Sequence, residues 1–336
     1  MRVGIAGTGF MGSTHAAAWA ETDAEIAGFV TRCRQSAAPL LQKYGARLYP
    51  SLDALLPDVD VVDICTPTHL HHEMVLKAAA AGRDIVCEKP LARTLQQGRE
   101  MVRTCREAGV RLLVAHVVRF FPEYARAKAL VDAGQVGQPA VVRLSRETFY
   151  PRKPSYNWFL DVERSGGVLL DLMIHDFDYA RWVAGNVTRV FARNVADIYL
   201  GIPDDHALAI LTHESGTISH IEGSWAFPPP TFRTGLEIAG AEGLIQFDSE
   251  STAPIALYLR QRSDDEAPEV PIPASPLQES PYTLEIKTFY NVLVHDAPTP
   301  VTAEDGLAAL QIALAAIESA RTGQAITLDP LPELSS

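Results

Sequence analysis

Two polar side chains interrupt a long apolar run near the middle of the chain. Asp171 and His175 lie four residues apart in the run from Gly166 to Ala184, which is predicted to be a helix. Residues four apart share a helix face, and burying an unpaired carboxylate costs several kcal/mol. We therefore expect the pair to face a cleft or a partner group, where an imidazole can exchange a proton near neutral pH. A structural Asp–His pair is the alternative.

A lysine is the second candidate for a catalytic residue. Lys89 follows the short apolar run from Ile85 to Cys87 and precedes a proline, which restricts the backbone of the residue before it. If that run is a strand of a parallel sheet, the ammonium group lies at its carboxyl end, over a bound ligand. A surface Glu88–Lys89 pair is the alternative, because lysine is usually exposed.

A glycine-rich turn follows the first predicted strand and opens the first predicted helix. In a dinucleotide site the first glycine allows a tight turn, the second lets pyrophosphate approach the backbone, and the third permits close helix packing. The position between strand and helix makes the pattern informative. A glycine-rich turn that binds no nucleotide is the alternative. The residues expected to hold the cofactor here are Gly7, Thr8, Gly9, Phe10, Met11 and Gly12.

The position where many dinucleotide sites carry an acid for the ribose 2′-hydroxyl has none in this chain. Thr31 stands there, followed by Arg32 and Arg34, whose guanidinium groups match a 2′-phosphate through forked hydrogen bonds. The cofactor is therefore predicted to be NADP(H) in slight preference to NAD(H). Two solvated surface arginines are the alternative.

The turn after the run from Val59 to Cys65 is also expected to line the cofactor pocket, at the carboxyl end of a parallel strand. It continues into a His-His-Glu sequence, but Leu76 stands where the zinc pattern HExxH needs its second histidine. We therefore expect no metal, and we interpret His71 as a cap or a cofactor neighbour. The cofactor-binding residues expected from this turn and the next one are Thr66, Pro67, Thr68, His71, Glu88 and Lys89.

Further pocket candidates follow the last predicted strand of the first region or precede the Asp171 helix. They are His116, Arg119, Phe120, Tyr156, Asn157 and Trp158. Trp158 offers a face on which a sugar ring could stack, although packing is the alternative for each of these side chains. The expected substrate-binding set is Lys89, His116, Arg119, Trp158, Asp171 and His175.

The elements that must position these residues change in character near residue 120. Before it, β-branched runs alternate with helical patterns, which predicts an α/β fold with a doubly wound parallel sheet. After it, a long strand over 139–150, the Asp171 helix and paired hairpins over 206–226 and 237–248 predict an α+β region with a mostly antiparallel sheet. A further strand over 255–260, a mobile loop over 263–281 and a closing helix over 303–322 are also expected. We predict two domains, 1–120 for the cofactor and 121–336 for substrate and oligomerisation.

Charge and cysteine usage limit the classes of partner. The chain of 336 residues has 41 acidic and 29 basic side chains, a net charge of -12, so nucleic acid and membrane surfaces are poor partners. The four cysteines show no paired spacing, which favours a reducing compartment. The chain opens directly into a strand, without the pattern of a signal peptide. We expect a cytoplasmic protein.

Several separated motifs together resemble one family. They are AGTGFMGSTHAAAW, TPTHLHHEMVLKAAAAGRDIVCEKPLA, HVVRFFPEYARAKALVDAGQVG, SGGVLLDLMIHDFDYARWVAG and SHIEGSW. They resemble the Gfo/Idh/MocA family of glucose-fructose oxidoreductases, inositol dehydrogenases and rhizopine-catabolism proteins. The resemblance implies a Rossmann domain, and then a domain whose open-faced sheet commonly forms a homodimer or homotetramer interface. It also implies NAD(P)-dependent hydride transfer at a carbon of a sugar, cyclitol or related polyol.

The family's catalytic lysine, in a Lys-Pro peptide that is often cis in relatives, falls on Lys89, and its DxxxH pair falls on Asp171 and His175. Hydride transfer from a secondary alcohol requires a base for the hydroxyl proton. We interpret His175 as that base, Lys89 as an electrostatic clamp on the same oxygen and a secondary candidate for the proton transfer, and Asp171 as a ligand of a neighbouring hydroxyl or of the lysine. Thr31 departs from members that carry an acid there, which leaves the cofactor open. The alternatives are an NADP-dependent reductase of dihydrodiols, sugar ketones or aldehydes, and a non-catalytic nicotinamide-binding regulator.

Overall fold

The computed structural model describes residues 1–151, 157–195, 205–250 and 279–331. The chain forms two compact units. The first contains residues 1–120 and the described part of 274–307, and the second contains the described parts of 121–273 and 308–336. The sequence analysis assigned everything after residue 120 to the second domain, whereas residues 279–307 return to the first unit. The predicted strand over 255–260 and nearly all of the predicted loop over 263–281 lie outside the described residues.

The first unit contains a parallel sheet, which confirms the doubly wound prediction. Within the described residues its strand order is β3-β2-β1-β4-β5-β6, and every pair is parallel. Only β3 was not predicted, because it is three residues long. The strands are β1 (Arg2–Ala6), β2 (Glu25–Val30), β3 (Arg47–Tyr49), β4 (Val61–Ile64), β5 (Asp84–Glu88) and β6 (Leu112–Ala115).

The second unit contains a mostly antiparallel sheet, which confirms the α+β prediction. Its order within the described residues is β12-β11-β7-β10-β9-β8-β13, and β7 and β10 form a parallel pair in it. The two predicted hairpins are β9–β10 and β11–β12. Alternate residues of these strands are buried, as in a sheet with one covered face. The strands are β7 (Pro139–Thr148), β8 (Val187–Val195), β9 (His206–His213), β10 (Ile218–Ser224), β11 (Phe232–Gly240), β12 (Leu244–Asp248) and β13 (Ile326–Thr327).

Seven of the ten α-helices among the described residues overlap a predicted helix. The α-helices are α1 (Phe10–Trp19), α2 (Arg34–Tyr44), α3 (Leu52–Leu55), α4 (His71–Ala80), α5 (Leu95–Glu107), α6 (Pro122–Asp132), α7 (Val162–Ser165), α8 (Ile174–Ala184), α9 (Pro281–His295) and α10 (Ala303–Thr322). Of these, α3, α7 and α9 were not predicted. Short 3-10 turns span Leu56–Asp58, Thr68–Leu70, Val117–Phe120 and Trp158–Leu160. No helix among the described residues combines the length and apolar character needed to cross a membrane.

The helix α9 explains why the chain returns to the first unit. Its Ile286 and Phe289 are fully buried in a core that also contains Trp19 of α1 and Phe29 of β2. Burying a large apolar side chain contributes about 1.5–3 kcal/mol. The core of the first unit is therefore built from both ends of the sequence.

Candidate active site

The glycine turn after β1 has the geometry that a dinucleotide loop requires. Gly7 has a φ of 111°, and a Cβ there would lie 2.4 Å from the carbonyl oxygen of Cys65, so the tight turn needs glycine. A Cβ on Gly12 would lie 2.2 Å from the carbonyl oxygen of Gly7. A Cβ on Gly9 would meet nothing within 4 Å, and Gly9 is exposed. The protein's own packing thus explains the first and third glycines, while the second leaves open space where a pyrophosphate fits.

Hydroxyl groups surround the end of β2, where an acid is absent. The Thr8 hydroxyl donates to Oγ1 of Thr31 at 2.9 Å and lies 2.6 Å from Oγ of Ser36. Arg32 and Arg34 are exposed beside them, at the start of α2. Hydroxyls and guanidinium groups together are a donor set for phosphate, and no acidic residue stands at the carboxyl end of β2 or among residues 31–36 to oppose such a group.

His71 joins the two turns that follow β4 and β5. Its Nδ1 lies 2.9 Å from the carbonyl oxygen of Pro90, and its Nε2 lies 2.8 Å from that of Thr66. The ring is fully buried, and burial lowers the pKa of His71, although the two carbonyl groups oppose this. The predicted cap or cofactor neighbour is thus a bridge between loops. Thr68 is buried, whereas Thr66 and Pro67 are half-buried at the sheet edge.

Lys89 lies directly after β5, at the carboxyl edge of the parallel sheet. Its side chain is half-buried, and its peptide bond to Pro90 is cis, as in many members of the family that the sequence resembles. Its backbone N–H donates to Oε2 of Glu88 at 3.0 Å. The glycine turn follows β1 and Thr66 follows β4, so the residues predicted to hold cofactor share this edge.

A buried charged cluster beneath this edge was not identified from the sequence. His15 of α1 lies between two carboxylates: its Nδ1 is 2.9 Å from Oδ2 of Asp63, and its Nε2 is 3.2 Å from Oε1 of Glu88. The indole of Trp19 also donates to Oδ2 of Asp63, at 2.7 Å. Burial lowers the pKa of His15, but the negative charge of Asp63 and the contacts with Asp63 and Cys65 outweigh it and raise that pKa well above the usual histidine value. The signal in the sequence was an aspartate inside the apolar strand β4.

The segment that carries Asp171 and His175 differs from the continuous helix predicted for it. Gly166 and Gly167 have φ values of 85° and 68°, so the helical segment begins later. Val168–Leu172 forms a π-helical turn containing Asp171, and α8 begins at Ile174. Both Asp171 and His175 are half-buried. Asp171 and His175 therefore do not share one face of a continuous α-helix, although π-helical turns are frequent at functional sites.

Two contacts hold this π-helical turn and α8 on the sheet. A Cβ on Gly223 of β10 would lie 2.3 Å from Cγ of Met173, so glycine at this strand position allows the junction to pack closely. Arg146 of β7 donates from Nε and Nη2 to the two carboxylate oxygens of Asp176, at 2.8 and 2.9 Å, and both residues are buried. His175 thus stands beside a bidentate, desolvated ion pair, the stronger kind of charge-assisted hydrogen bond.

Aromatic side chains form a cluster near Asp171. Trp158 stacks on Phe159 with ring centroids 4.1 Å apart, and Tyr150 meets Trp225 edge to face at 5.3 Å. Tyr150 is 6% exposed, and burial together with the charge of Asp171 raises the pKa of its hydroxyl. Trp158 was predicted from the sequence as a substrate-binding residue, whereas Tyr150 and Trp225 were not predicted as site residues. The available signal was their position just after β7 and β10, the parallel pair whose carboxyl ends coincide.

Other predicted residues lie deeper. His116 is fully buried. Arg119 is 4% exposed, and its Nη1 donates to the carbonyl oxygen of Pro300 at 2.6 Å and to Asp305 at 3.1 Å, which favours a structural role. Tyr156 lies outside the described residues.

The potential metal ligands near the predicted site are engaged with protein groups. His72 contacts Glu100 at 2.8 Å. Within the described part of the chain, His15, Asp63 and Cys65 bring ligand atoms within 4.8 Å of one another. Because Asp63 already accepts hydrogen bonds from His15, Trp19 and Cys65, these contacts account for the cluster without an ion. The expectation of no metal stays a prediction.

Comparisons with known proteins agree with this geometry. Residues 1–116 match the model of the GFO_IDH_MocA oxidoreductase family with its NAD-binding Rossmann fold, and residues 124–246 match the GFO/IDH/MocA C-terminal domain. A 1,5-anhydro-D-fructose reductase of Ensifer adhaerens is 31% identical over 81% of this chain and 81% of its own length. A myo-inositol 2-dehydrogenase of Thermotoga maritima is 29% identical over 98% of this chain and 99% of its own.

A solved structure extends the likeness to three dimensions. The structure of GenD2 from gentamicin A biosynthesis, in complex with NAD, superimposes with a TM-score of 0.86 at 25% identity, over 98% of this chain and 96% of that chain. The two family models together cover well over half of the sequence, in the order that the motifs predict. The chain therefore belongs to the GFO/IDH/MocA family and is an NAD(P)-dependent oxidoreductase.

Proposed function

We propose that this protein transfers a hydride between NAD(P) and a secondary alcohol or ketone of a sugar, a cyclitol or a related polyol. The observation that carries the proposal is the placement of Lys89. Its half-buried side chain lies at the same sheet edge as the open Gly9 turn, on a backbone fixed by Glu88. The names of the relatives, an anhydrofructose reductase and an inositol dehydrogenase, support this class of substrate.

The proposed mechanism divides proton handling from charge stabilisation. When bound, NAD(P) supplies or accepts the hydride. His175 takes the hydroxyl proton in oxidation and returns it in reduction, since imidazole titrates near the working pH. Lys89 donates a hydrogen bond to the same oxygen and stabilises developing negative charge. Asp171 binds a neighbouring hydroxyl, a role that suits a carboxylate facing a polyol, or pairs with the lysine.

We propose NADP(H) as the preferred cofactor. The support is the hydroxyl group of Thr31 at the end of β2 with the exposed Arg32 and Arg34 beside it. A 2′-phosphate would find hydroxyl donors and two guanidinium groups there, without a carboxylate of that turn to repel it. We expect a lower KM for NADP(H) than for NAD(H). Values that favour NAD(H) tenfold or more would contradict this preference.

A reductase of sugar ketones, aldehydes or dihydrodiols is the second candidate. The phosphate-binding residues and the 31% identical anhydrofructose reductase favour it. A non-catalytic regulator has less support, since the family consists of oxidoreductases. Turnover in each direction on a panel of polyols, ketoses and aldehydes, followed at the absorbance of the reduced nicotinamide, distinguishes the three. The cytoplasmic location and the homodimeric or homotetrameric assembly stay predictions.

Two substitutions test the mechanism. Lys89→Ala and His175→Ala should each lower kcat by about 100-fold or more, the scale of acid–base catalysis, while circular dichroism stays unchanged. Lys43→Ala and His295→Ala are matched controls, because both side chains are exposed, and we expect full activity. Near-normal turnover in both Lys89→Ala and His175→Ala would rule out the proposed roles.

A further inference from the structure

Glu88 stands between the catalytic candidate and the buried cluster. One carboxylate oxygen, Oε2, accepts the backbone N–H of Lys89 at 3.0 Å. The other, Oε1, lies 3.2 Å from Nε2 of His15. The carboxylate is 7% exposed, so both oxygens are used inside the protein. Both oxygens contact groups of the first unit, and the cofactor-binding role of Glu88 stays a prediction.

The imidazole of His15 is held from the other side as well. Its Nδ1 contacts Asp63, which also accepts the Trp19 indole. The contact of Nε2 with Glu88 is an ion pair by distance and not a hydrogen bond, whereas Nδ1 is hydrogen-bonded to Asp63. Two buried carboxylates without a cation between them would repel each other in a medium of low dielectric. A positively charged ring between them therefore holds both carboxylates in place.

We propose that Glu88, held by His15, is a positioning residue that fixes Lys89 for hydride transfer. The inference rests on the catalytic role proposed for Lys89. The hydrogen bond from the backbone N–H of Lys89 to Glu88 fixes the position of the lysine backbone. His15 connects Glu88 to α1, the helix that follows the glycine turn. Displacing a catalytic group lowers the reaction rate even when the chemical character of the group is unchanged.

Other ionisable groups face the same cluster. They are Asp63 from β4, Cys65 from the turn after it, and Glu285 from α9. Glu285 is fully buried, and neither of its carboxylate oxygens has a hydrogen-bond partner among the described residues. Burial raises the pKa of Glu285 well above the ordinary carboxyl value. Glu285 thus provides a matched control: a buried acid of the same cluster without a bond to Lys89.

The test separates position from charge with two variants of Glu88. Glu88→Gln keeps the chain length, and its amide oxygen can still accept from the backbone N–H of Lys89. Glu88→Asp keeps the charge but withdraws the acceptor by one methylene. We expect Glu88→Asp to lower kcat about tenfold or more, because a tenfold change in rate corresponds to the free energy of about one hydrogen bond. The Kd for NADPH or NADH should change less than about threefold. Glu88→Gln should lose less kcat than Glu88→Asp, and Glu285→Gln should stay near wild-type kcat.

A double variant then tests whether Glu88 acts through the lysine. If it does, Glu88→Asp causes no further loss of kcat in a Lys89→Ala background, because residues that act as a unit are not additive. An equal loss in both backgrounds would overturn the inference, as would Glu88→Asp at least as active as Glu88→Gln. Wild-type turnover of Glu88→Asp beside an inactive Lys89→Ala would overturn this inference alone. Full turnover of Lys89→Ala would overturn the proposed function and this inference together.

Discussion

The two units hold their candidate catalytic residues with different cations. In the first, the imidazole of His15 lies between Asp63 and Glu88 beneath Lys89. In the second, the guanidinium of Arg146 makes a bidentate pair with Asp176 beside His175. Arginine stays charged throughout the pH range of a protein, whereas an imidazole and a buried carboxyl can lose or gain a proton. The cation that supports the first unit can therefore lose its charge as the pH rises, whereas the cation that supports the second cannot.

The largest effect on stability is expected when the ion pair between Arg146 and Asp176 in the second unit is removed. Arg146→Ala leaves Asp176 buried and unpaired, which should reduce the free energy of unfolding by about 3–5 kcal/mol. Denaturant unfolding measures it. Arg143→Ala is the matched control on the same strand, because the ion pair of Arg143 with Glu237 is exposed and such pairs contribute about 0–1 kcal/mol. Equal effects of the two substitutions would contradict the contrast between the units.

The next effect sharpens the pH dependence of the first unit. Glu285 has a raised pKa in the folded state, so its contribution to stability is intact below the unfolded value of about 4.3 and is lost as the pH rises toward the folded value. Glu285→Gln removes that loss, and its stability relative to wild type should increase with pH above pH 5, by at most about 1.4 kcal/mol per pH unit, until the pH reaches the folded-state pKa of Glu285. Thermal unfolding at pH 5 and pH 8 measures the difference. Glu107→Gln, an exposed control, should give none; a flat difference for Glu285→Gln as well would show that this acid is not buried in solution.

The smallest effect on stability is expected at Tyr150. Its hydroxyl is buried and has no hydrogen-bond partner among the described residues, so Tyr150→Phe should change the free energy of unfolding by less than about 0.5 kcal/mol. If the hydroxyl binds substrate beside Asp171, the same variant raises KM for the polyol about fivefold or more, as expected for one lost hydrogen bond. Steady-state kinetics measure this. An unchanged KM would assign Tyr150 to packing against Trp225.

Much of the fold was predictable because local patterns agreed with the final structure. The apolar runs of β1, β2, β4, β5 and β6 and the glycine turn identified the parallel sheet. The helix α9 was missed although Ile286, Phe289 and Leu293 recur at helical spacing after Pro281, because the buried face of α9 packs on residues more than 250 positions earlier. That partner surface is not visible in a local pattern.

The site was predicted less completely, for reasons of packing. The π-helical turn depends on the space that Gly223 leaves for Met173, a contact between segments 50 residues apart. The bridging role of His71 and the pair of His15 with Glu88 arise only when separate strands are adjacent. By contrast, Asp63 within the apolar strand β4 was a visible signal that a charged partner must be buried nearby.

The return of α9 to the first unit constrains how the protein can be made. The helix α1 buries Trp19 against residues that leave the ribosome some 270 positions later. A fragment that ended at residue 120 would leave this apolar surface open to water, and we expect it to aggregate or to recruit a chaperone. The core of the first unit therefore cannot be completed during synthesis until α9 has been translated, close to the end of the polypeptide.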